Sequence, residues 1–283
     1  MNIVKIVTLT VLLVSCSGTP FLTVSDNRES NILFEESFFR FSHEKLSQFA
    51  DQSPLSEALV ECHKGNYKTG LNLFKKYYLK NKKSYKYWLQ LGNCYYLQKS
   101  WSKAIYFYSL SKDLSKKEDQ GPFLNNLALI HLNFGNYDKA KDLLKKAVKI
   151  NKRFLTPKYN LSQLFLQFGH FERARKILHG LHLKAPNDIN VLASLSYVML
   201  LNRQYNSSLD FLLKIKVEDR KRGDIGIYLA LNYYFLKRYD DSQETLDNLP
   251  ILKRPYFSEI KKKLLVQLKK ARSEKVLASN IGE

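Results

Sequence analysis

The sequence predicts an all-α fold in which helix pairs stack in a row as a solenoid. Three observations support it: apolar residues recur with helical spacing, polar turn residues separate them, and one small residue returns at a nearly fixed interval. That interval is 34, 36, 34, 34 and 34 residues. A fixed period in this range is the signature of a repeat architecture. The recurring small residues are Gly70, Ala104, Ala140, Ala174, Ser208 and Ser242.

The N-terminus has the pattern of an export signal. Lys5 precedes a nine-residue apolar run, Ile6 to Val14, which is too short to span a bilayer because a spanning helix needs about 20 residues. This order is typical of a secretory signal peptide. The residues Leu13-Val14-Ser15-Cys16 resemble the lipobox of bacterial lipoproteins, in which the cysteine becomes the lipid-bearing first residue. We expect residues 1–15 to be a signal peptide and Cys16 to be lipidated; the alternative is an ordinary signal with an incidental cysteine.

The residues after the signal predict a membrane-anchored protein of the bacterial envelope. Residues 16–31 carry Gly, Pro, Ser, Thr and Asn with little periodicity, which predicts a flexible tether. Ser17 stands where an inner-membrane retention signal most often has Asp, which favours the outer membrane, facing the periplasm. The net charge of +20 favours anionic partners. Because export separates the protein from nucleic acid, we expect no nucleic-acid partner.

The repeat has the same internal order in each copy. An amphipathic helix carries a small residue, a turn such as Gly135-Asn136-Tyr137 follows, and a second amphipathic helix carries the second small residue. In the copy from Tyr87 to Lys112, we interpret Gly92 and Ala104 as points of close helix packing. The large residues around them are expected to fill the core; they are Trp88, Tyr95, Trp101 and Tyr108.

This pattern resembles the tetratricopeptide repeat over residues 51–256. The resemblance implies a right-handed α-solenoid of six helix-turn-helix repeats. Such arrays need polar caps, and we assign an N-terminal capping helix to 32–50, a C-terminal capping helix to 257–278 and a tail to 279–283. The step of 36 places a two-residue insertion before the third repeat, where a loop ending in Gly121-Pro122 is expected.

The sequence gives no sign of catalysis or of a resident metal. It lacks the metalloprotease, hydrolase, P-loop and dinucleotide motifs, so we expect neither an enzyme nor a cofactor. His179 and His182 are spaced for a metal, with His170 nearby, but no carboxylate or thiol accompanies them. Cys62 and Cys94 fall at different columns of neighbouring repeats, which favours two free buried thiols, although export would permit a disulfide.

The resemblance also implies where a partner would bind. In tetratricopeptide proteins the first helices line a concave groove that holds a peptide. Middle repeats here offer carboxamides, which can donate to and accept from a peptide backbone, and the last repeats offer aromatic anchors. The expected groove residues are Asn93, Tyr96, Asn125, Asn126, Tyr159, Asn160, Gln163, Gln167, Tyr197 and Tyr234. For the asparagines, local helix packing is the alternative.

The expected function is therefore that of a non-enzymatic, lipid-anchored scaffold for a protein or peptide of the envelope. Lipoproteins of similar build serve in outer-membrane protein assembly, as pilotins for pilus secretins, or as adaptors for peptidoglycan enzymes, and the sequence does not choose among them. The alternative is a cationic structural protein that binds anionic lipid or cell-wall polymer. Oligomeric state stays open.

Overall fold

The computed structural model describes residues 54–152, 154–252 and 255–281, with side chains as far as residue 273. All regular structure in these ranges is helical, which confirms the expected all-α repeat fold. The chain divides into two compact units between residues 164 and 165. The expected signal peptide, lipidation site, tether and N-terminal cap lie outside the described residues.

The first unit contains three helix pairs and the start of a fourth. Each pair supplies the first and second helix of one repeat, and a single helical turn, α3, follows the first pair. The helices are α1 (Pro54–His63), α2 (Tyr67–Lys76), α3 (Tyr78–Asn81), α4 (Tyr85–Leu97), α5 (Trp101–Leu114), α6 (Gly121–Asn133), α7 (Tyr137–Ile150) and α8 (Thr156–Gln167).

The second unit contains the end of α8 and the remaining repeats. Its last helix follows the sixth repeat and packs against both of that repeat's helices. The helices are α9 (Phe171–His182), α10 (Ile189–Leu201), α11 (Tyr205–Leu213), α12 (Gly223–Phe235), α13 (Tyr239–Asp247) and α14 (Pro255–Ile281). On α14, Phe257, Ile260, Leu264 and Leu268 are buried on one face.

Every repeat turns between its two helices in the same way. The residue two positions before the second helix has a positive φ in all six repeats, which places it in the left-handed region. Glycine adopts this region without steric cost, yet only half of the turns use it. The residues are Gly65, Lys99, Gly135, Gly169, Arg203 and Lys237. A Tyr, Trp or Phe then begins each second helix.

The two helices of a repeat cross where small residues meet, twelve positions apart in sequence. A Cβ on Gly70 would lie 2.7 Å from the carbonyl oxygen of Ala58. In the fifth repeat the Ser208 hydroxyl donates to the carbonyl of Ser196, at 2.8 Å. In the sixth, the Ser242 hydroxyl donates in the same way to Ala230, at 2.8 Å. We call this meeting of backbones the crossing contact.

The second repeat confirms the expected roles of its glycine and aromatics. Gly92 lies under the ring of Tyr108, and a Cβ there would come within 2.5 Å of two ring carbons. Ala104 and Tyr108 are fully buried. Phe107 stacks between Trp88, at 5.8 Å, and Tyr95, at 5.1 Å between ring centroids. Glycine is therefore needed at position 92 for space, since the Tyr108 ring leaves no room for a side chain.

The linker before the third repeat differs from the expected open loop. Lys117–Gln120 form a 3-10 turn, and Gly121 and Pro122 are already the first residues of α6. Proline is favoured in a first helical turn because its φ is pre-set and its missing N–H would have no helical partner.

The expectation of free thiols is wrong, because Cys62 and Cys94 form a disulfide with 5.3 Å between their Cα atoms. The two cysteines are 32 residues apart, which is two short of the repeat. Two positions turn a helix by roughly 200°, so they project from opposite sides of equivalent helices. Because α1 packs against α4, the side of α1 that faces the second repeat contacts the side of α4 that faces the first repeat. Cysteines at equivalent positions of the two repeats would point in the same direction and could not contact each other.

The left-handed turn predicts opposite effects for two glycine substitutions. Gly135→Ala is expected to lower the free energy of unfolding by about 1 kcal/mol, because alanine resists the left-handed region. Gly180 lies within α9 with open space around it, so Gly180→Ala is expected to raise that free energy by about 1 kcal/mol. Urea unfolding of both variants measures the difference. Shifts of the same sign would contradict the turn assignment.

The disulfide predicts that reductant destabilises the first unit. A cross-link that closes a loop of this length contributes roughly 3–4 kcal/mol by restricting the unfolded chain. Thermal melts with and without reductant are expected to differ for the unmodified protein. The control is the double variant Cys62→Ala, Cys94→Ala, whose melting temperature is expected to be the same with and without reductant. Equal melts of the unmodified protein in both conditions would argue against the bond.

Candidate functional site

Four of the expected groove residues lie together in the first unit, on three successive first helices. Asn93 is on α4, Asn125 and Asn126 are on α6, and Asn160 is on α8. Each side chain is at most 1% exposed. The direct packing of α4 against α6 brings the amides within reach of each other.

The four asparagines form one chain of hydrogen bonds. Asn160 Nδ2 donates to Asn125 Oδ1 at 2.8 Å, and Asn125 Nδ2 donates to Asn126 Oδ1 at 3.0 Å. Asn126 Nδ2 donates to Asn93 Oδ1 at 2.7 Å, and the Tyr108 hydroxyl donates to the same oxygen at 2.8 Å. Buried amides need such partners. This network therefore links three repeats, which is the packing role weighed above as the alternative to peptide contact.

The network leaves two polar atoms on α4 without a partner among the described residues. They are Asn93 Nδ2, a donor, and Gln90 Oε1, an acceptor, and both atoms are buried. Gln90 and Asn93 are three positions apart and so are neighbours on the helix surface. A donor beside an acceptor matches the carbonyl and the N–H of a peptide backbone.

The other expected residues of the first unit take different positions. The Tyr96 ring meets the Trp101 ring edge-on, with 5.3 Å between centroids. Tyr159 is 1% exposed and is one of the largest fully buried side chains described. Gln163 is also buried. These three side chains are packed in the unit, and their assignment to peptide contact stays a prediction.

In the second unit, the expected residues lie among aromatic side chains. Tyr197 stacks on Tyr228, with 5.0 Å between ring centroids and 25° between planes. Burial raises the pKa of Tyr197 well above its ordinary value, and the nearby Tyr256 adds to the rise. Tyr234 packs beside Tyr239, at 5.7 Å. On the part of α8 that belongs to this unit, Gln167 Oε1 is buried without a partner among the described residues.

Two features of the site were not expected from the sequence. Gln90 was missed, although it stands 36 residues before Asn126 and 70 before Asn160, in the same column of the repeat. In the second unit, the Arg222 guanidinium binds both Asp224 carboxylate oxygens, at 2.8 and 3.0 Å, and Asn190 Oδ1 at 2.7 Å. It joins the fifth and sixth repeats. The column pattern could have indicated Gln90, but nothing in the repeat indicated Arg222.

The described part of the chain offers no group of side chains placed to hold a metal ion. His182 contacts the Phe211 ring, at 5.6 Å between centroids, and its pKa is lowered, chiefly by burial. None of the helices in the described ranges is both long and apolar enough to cross a bilayer.

Comparison with known proteins identifies the repeat. Residues 131–196, which run from α6 to α10, match the model of the tetratricopeptide repeat family. The chain therefore contains tetratricopeptide repeats. The match lies across the border of the two units and includes the turns at Gly135 and Gly169.

Solved tetratricopeptide structures share its fold at low sequence identity. A chain of the APC/C hetero-tetramer Cut9–Hcn1 is 15% identical with a TM-score of 0.64; the match covers 79% of this chain and 45% of that one. This chain therefore spans less than half of that protein's length. PilF of Pseudomonas aeruginosa is 13% identical with a TM-score of 0.59, over 72% and 91% of the two chains. The type IV pilus biogenesis factor PilW is 15% identical with a TM-score of 0.56, over 75% and 97%.

The amide network predicts an unequal effect of two asparagine substitutions. Asn126→Ala removes one donor to Asn93 and leaves the Asn125 amide without its acceptor, so the free energy of unfolding is expected to fall by roughly 2–4 kcal/mol. Asn206 is exposed at the start of α11. Asn206→Ala is expected to change the free energy of unfolding by less than about 0.5 kcal/mol. Urea unfolding measures this free energy for both variants. A loss at Asn126 no larger than at Asn206 would show that the network does not stabilise the first unit.

Proposed function

We propose that this tetratricopeptide protein is a non-enzymatic, lipid-anchored scaffold of the bacterial envelope that binds a segment of another protein on its first helices. Tetratricopeptide arrays present extended surfaces built from many helices and need no catalytic pocket. The coarse function of protein interaction follows from the repeat itself, while the anchor, the compartment and the partner are the proposal.

The observation that carries this proposal is the unpaired donor and acceptor on α4. Leaving a buried polar group without a partner costs about 1–3 kcal/mol. Here Asn93 Nδ2 and Gln90 Oε1 are both without one among the described residues, on residues three positions apart on α4. A backbone carbonyl accepting from Asn93 and a backbone N–H donating to Gln90 would satisfy both. Gln90 is only half-buried, so its amide has a route to the surface.

The cysteines support an envelope location. A disulfide persists in oxidising compartments and is rare in the cytosol, which fits the export signal expected at residues 1–15 and the lipid expected on Cys16. The likeness to PilF and PilW is one of fold. A pilotin role therefore stands beside outer-membrane assembly and peptidoglycan-enzyme adaptation as one of three envelope roles open to the scaffold.

The experiment is crosslinked co-purification from native membranes with a matched pair of variants. Gln90→Ala removes the unpaired acceptor, and Gln98→Ala removes an exposed glutamine at the end of the same helix. One stoichiometric partner is expected with the unmodified chain and with Gln98→Ala, and is expected to fall at least fivefold with Gln90→Ala. Equal recovery of the partner with both variants would show that α4 is not part of the binding surface.

A third variant tests the anchor separately. With Cys16→Ser, the chain is expected to leave the membrane fraction and to lose the lipid mass from its N-terminal peptide. Continued lipid attachment in this variant would contradict the lipobox assignment. This result is independent of the partner recovery measured with Gln90→Ala.

A further inference from the structure

The positive charge of the first unit is concentrated in one long stretch. Between Glu61 and Asp113 the chain has eleven lysines and no acidic residue. Lys64, at one end of the stretch, pairs with Glu61 at 2.7 Å, while the lysines in its middle have no acidic residue near them in sequence. This concentration of positive charge favours an anionic partner.

The densest part of this stretch is the corner from Lys75 to Lys83, which joins α2 to α4 through α3. Its backbone is held in place: Lys82 N donates to Tyr78 O at 2.8 Å, and Asn81 Nδ2 donates to Tyr77 O at 2.9 Å. The Trp88 indole N–H donates to Lys82 O at 2.8 Å and pins the corner to α4. We call residues 75–83 the cationic corner.

The cationic corner exposes two large apolar side chains among its lysines. Leu79 is 77% exposed and Tyr78 is 40% exposed. Leu79 has Lys75 and Lys76 four and three positions before it, and Lys82 and Lys83 three and four positions after it. These four lysines and Lys80 are all exposed. The exposed leucine therefore lies in a short surface segment that is rich in lysine.

The lysines of the cationic corner differ from two basic residues of α14 that bond to the sixth repeat. On α14, Lys261 donates to the Leu246 carbonyl at 2.5 Å, and Arg272 binds Asp240 at 2.6 Å. In the corner, Lys75, Lys80, Lys82 and Lys83 meet no carboxylate among the described residues. Their charges remain available to a partner.

We propose that the cationic corner is a docking site for an anionic phospholipid surface, with Leu79 and Tyr78 entering the headgroup region. Lysines near a membrane attract its anionic lipids and keep their charge in water, while tyrosine is enriched at membrane interfaces. The neighbouring rings do not favour a nucleic-acid partner: Trp88 and Phe107 stack on each other, with 5.8 Å between centroids. This docking is separate from partner binding on α4.

The test is co-sedimentation of the full chain carrying Cys16→Ser with phosphatidylcholine vesicles that contain or lack phosphatidylglycerol. Binding is expected only with phosphatidylglycerol and is expected to weaken as salt rises. The variant Lys80→Gln, Lys82→Gln, Lys83→Gln is expected to bind roughly 100-fold more weakly. Its control, Lys145→Gln, Lys146→Gln, Lys149→Gln, removes the same charge from exposed positions on α7 and is expected to keep most of the affinity.

A second pair of variants tests the apolar contact. Leu79→Ser is expected to weaken vesicle binding about tenfold, whereas Leu183→Ser, at a position 85% exposed on the chain, should leave it unchanged. Equal losses for the two lysine triples would show that overall charge binds the vesicles and would overturn the proposal. Unchanged vesicle binding by Leu79→Ser would also overturn the proposal. It would show that binding is purely ionic, which fits an anionic polymer rather than insertion into a lipid headgroup region.

Discussion

The structure depends on the crossing contact, where the two helices of a repeat bring their backbones together. A carbonyl of the first helix faces a Gly, Ala or Ser of the second, and only these side chains fit. Serine is accepted in the last two repeats because its hydroxyl donates to that carbonyl, so burying it leaves no polar atom without a partner. Once the backbones meet there, the large aromatic and aliphatic side chains around the contact can fill the remaining space.

Each repeat is completed by its neighbours, and polar or covalent links between neighbours add to the apolar core. In the first unit a disulfide joins the first two repeats, and an amide chain joins the second, third and fourth. In the second unit a guanidinium joins the fifth and sixth. Such links are directional, so they fix the register of adjacent helices in a way that apolar contacts alone do not. They also explain why the first helices carry so many amides: most of these groups hold the array together.

The basic residues of the chain fall into two groups, those that bond within the fold and those that do not. Lys261 and Arg272 on α14 bond to a carbonyl and a carboxylate of the sixth repeat, whereas the lysines of the cationic corner have no carboxylate near them in sequence and form no ion pair within the described part of the chain. The same composition therefore produces one surface that is used by the fold and another that is open to an anionic partner. Net charge alone could not distinguish them.

The sequence by itself determined the repeat, because a period of close-packed small residues is a local property that every copy must satisfy. It gave the number of helix pairs, the positions of their turns, the roles of Gly92 and Tyr108 in the second repeat, and the aromatic character of the last repeats. Tertiary structure decided what depends on the faces that neighbouring helices present to each other. Cys62 and Cys94 meet because adjacent helices touch through opposite sides, and the asparagines expected to face a peptide first bond to one another. Gln90 and Asn93 each keep one amide atom without a partner among the described residues for the same reason: which amide finds a partner is set by the packing of three helices, and no single repeat contains that information.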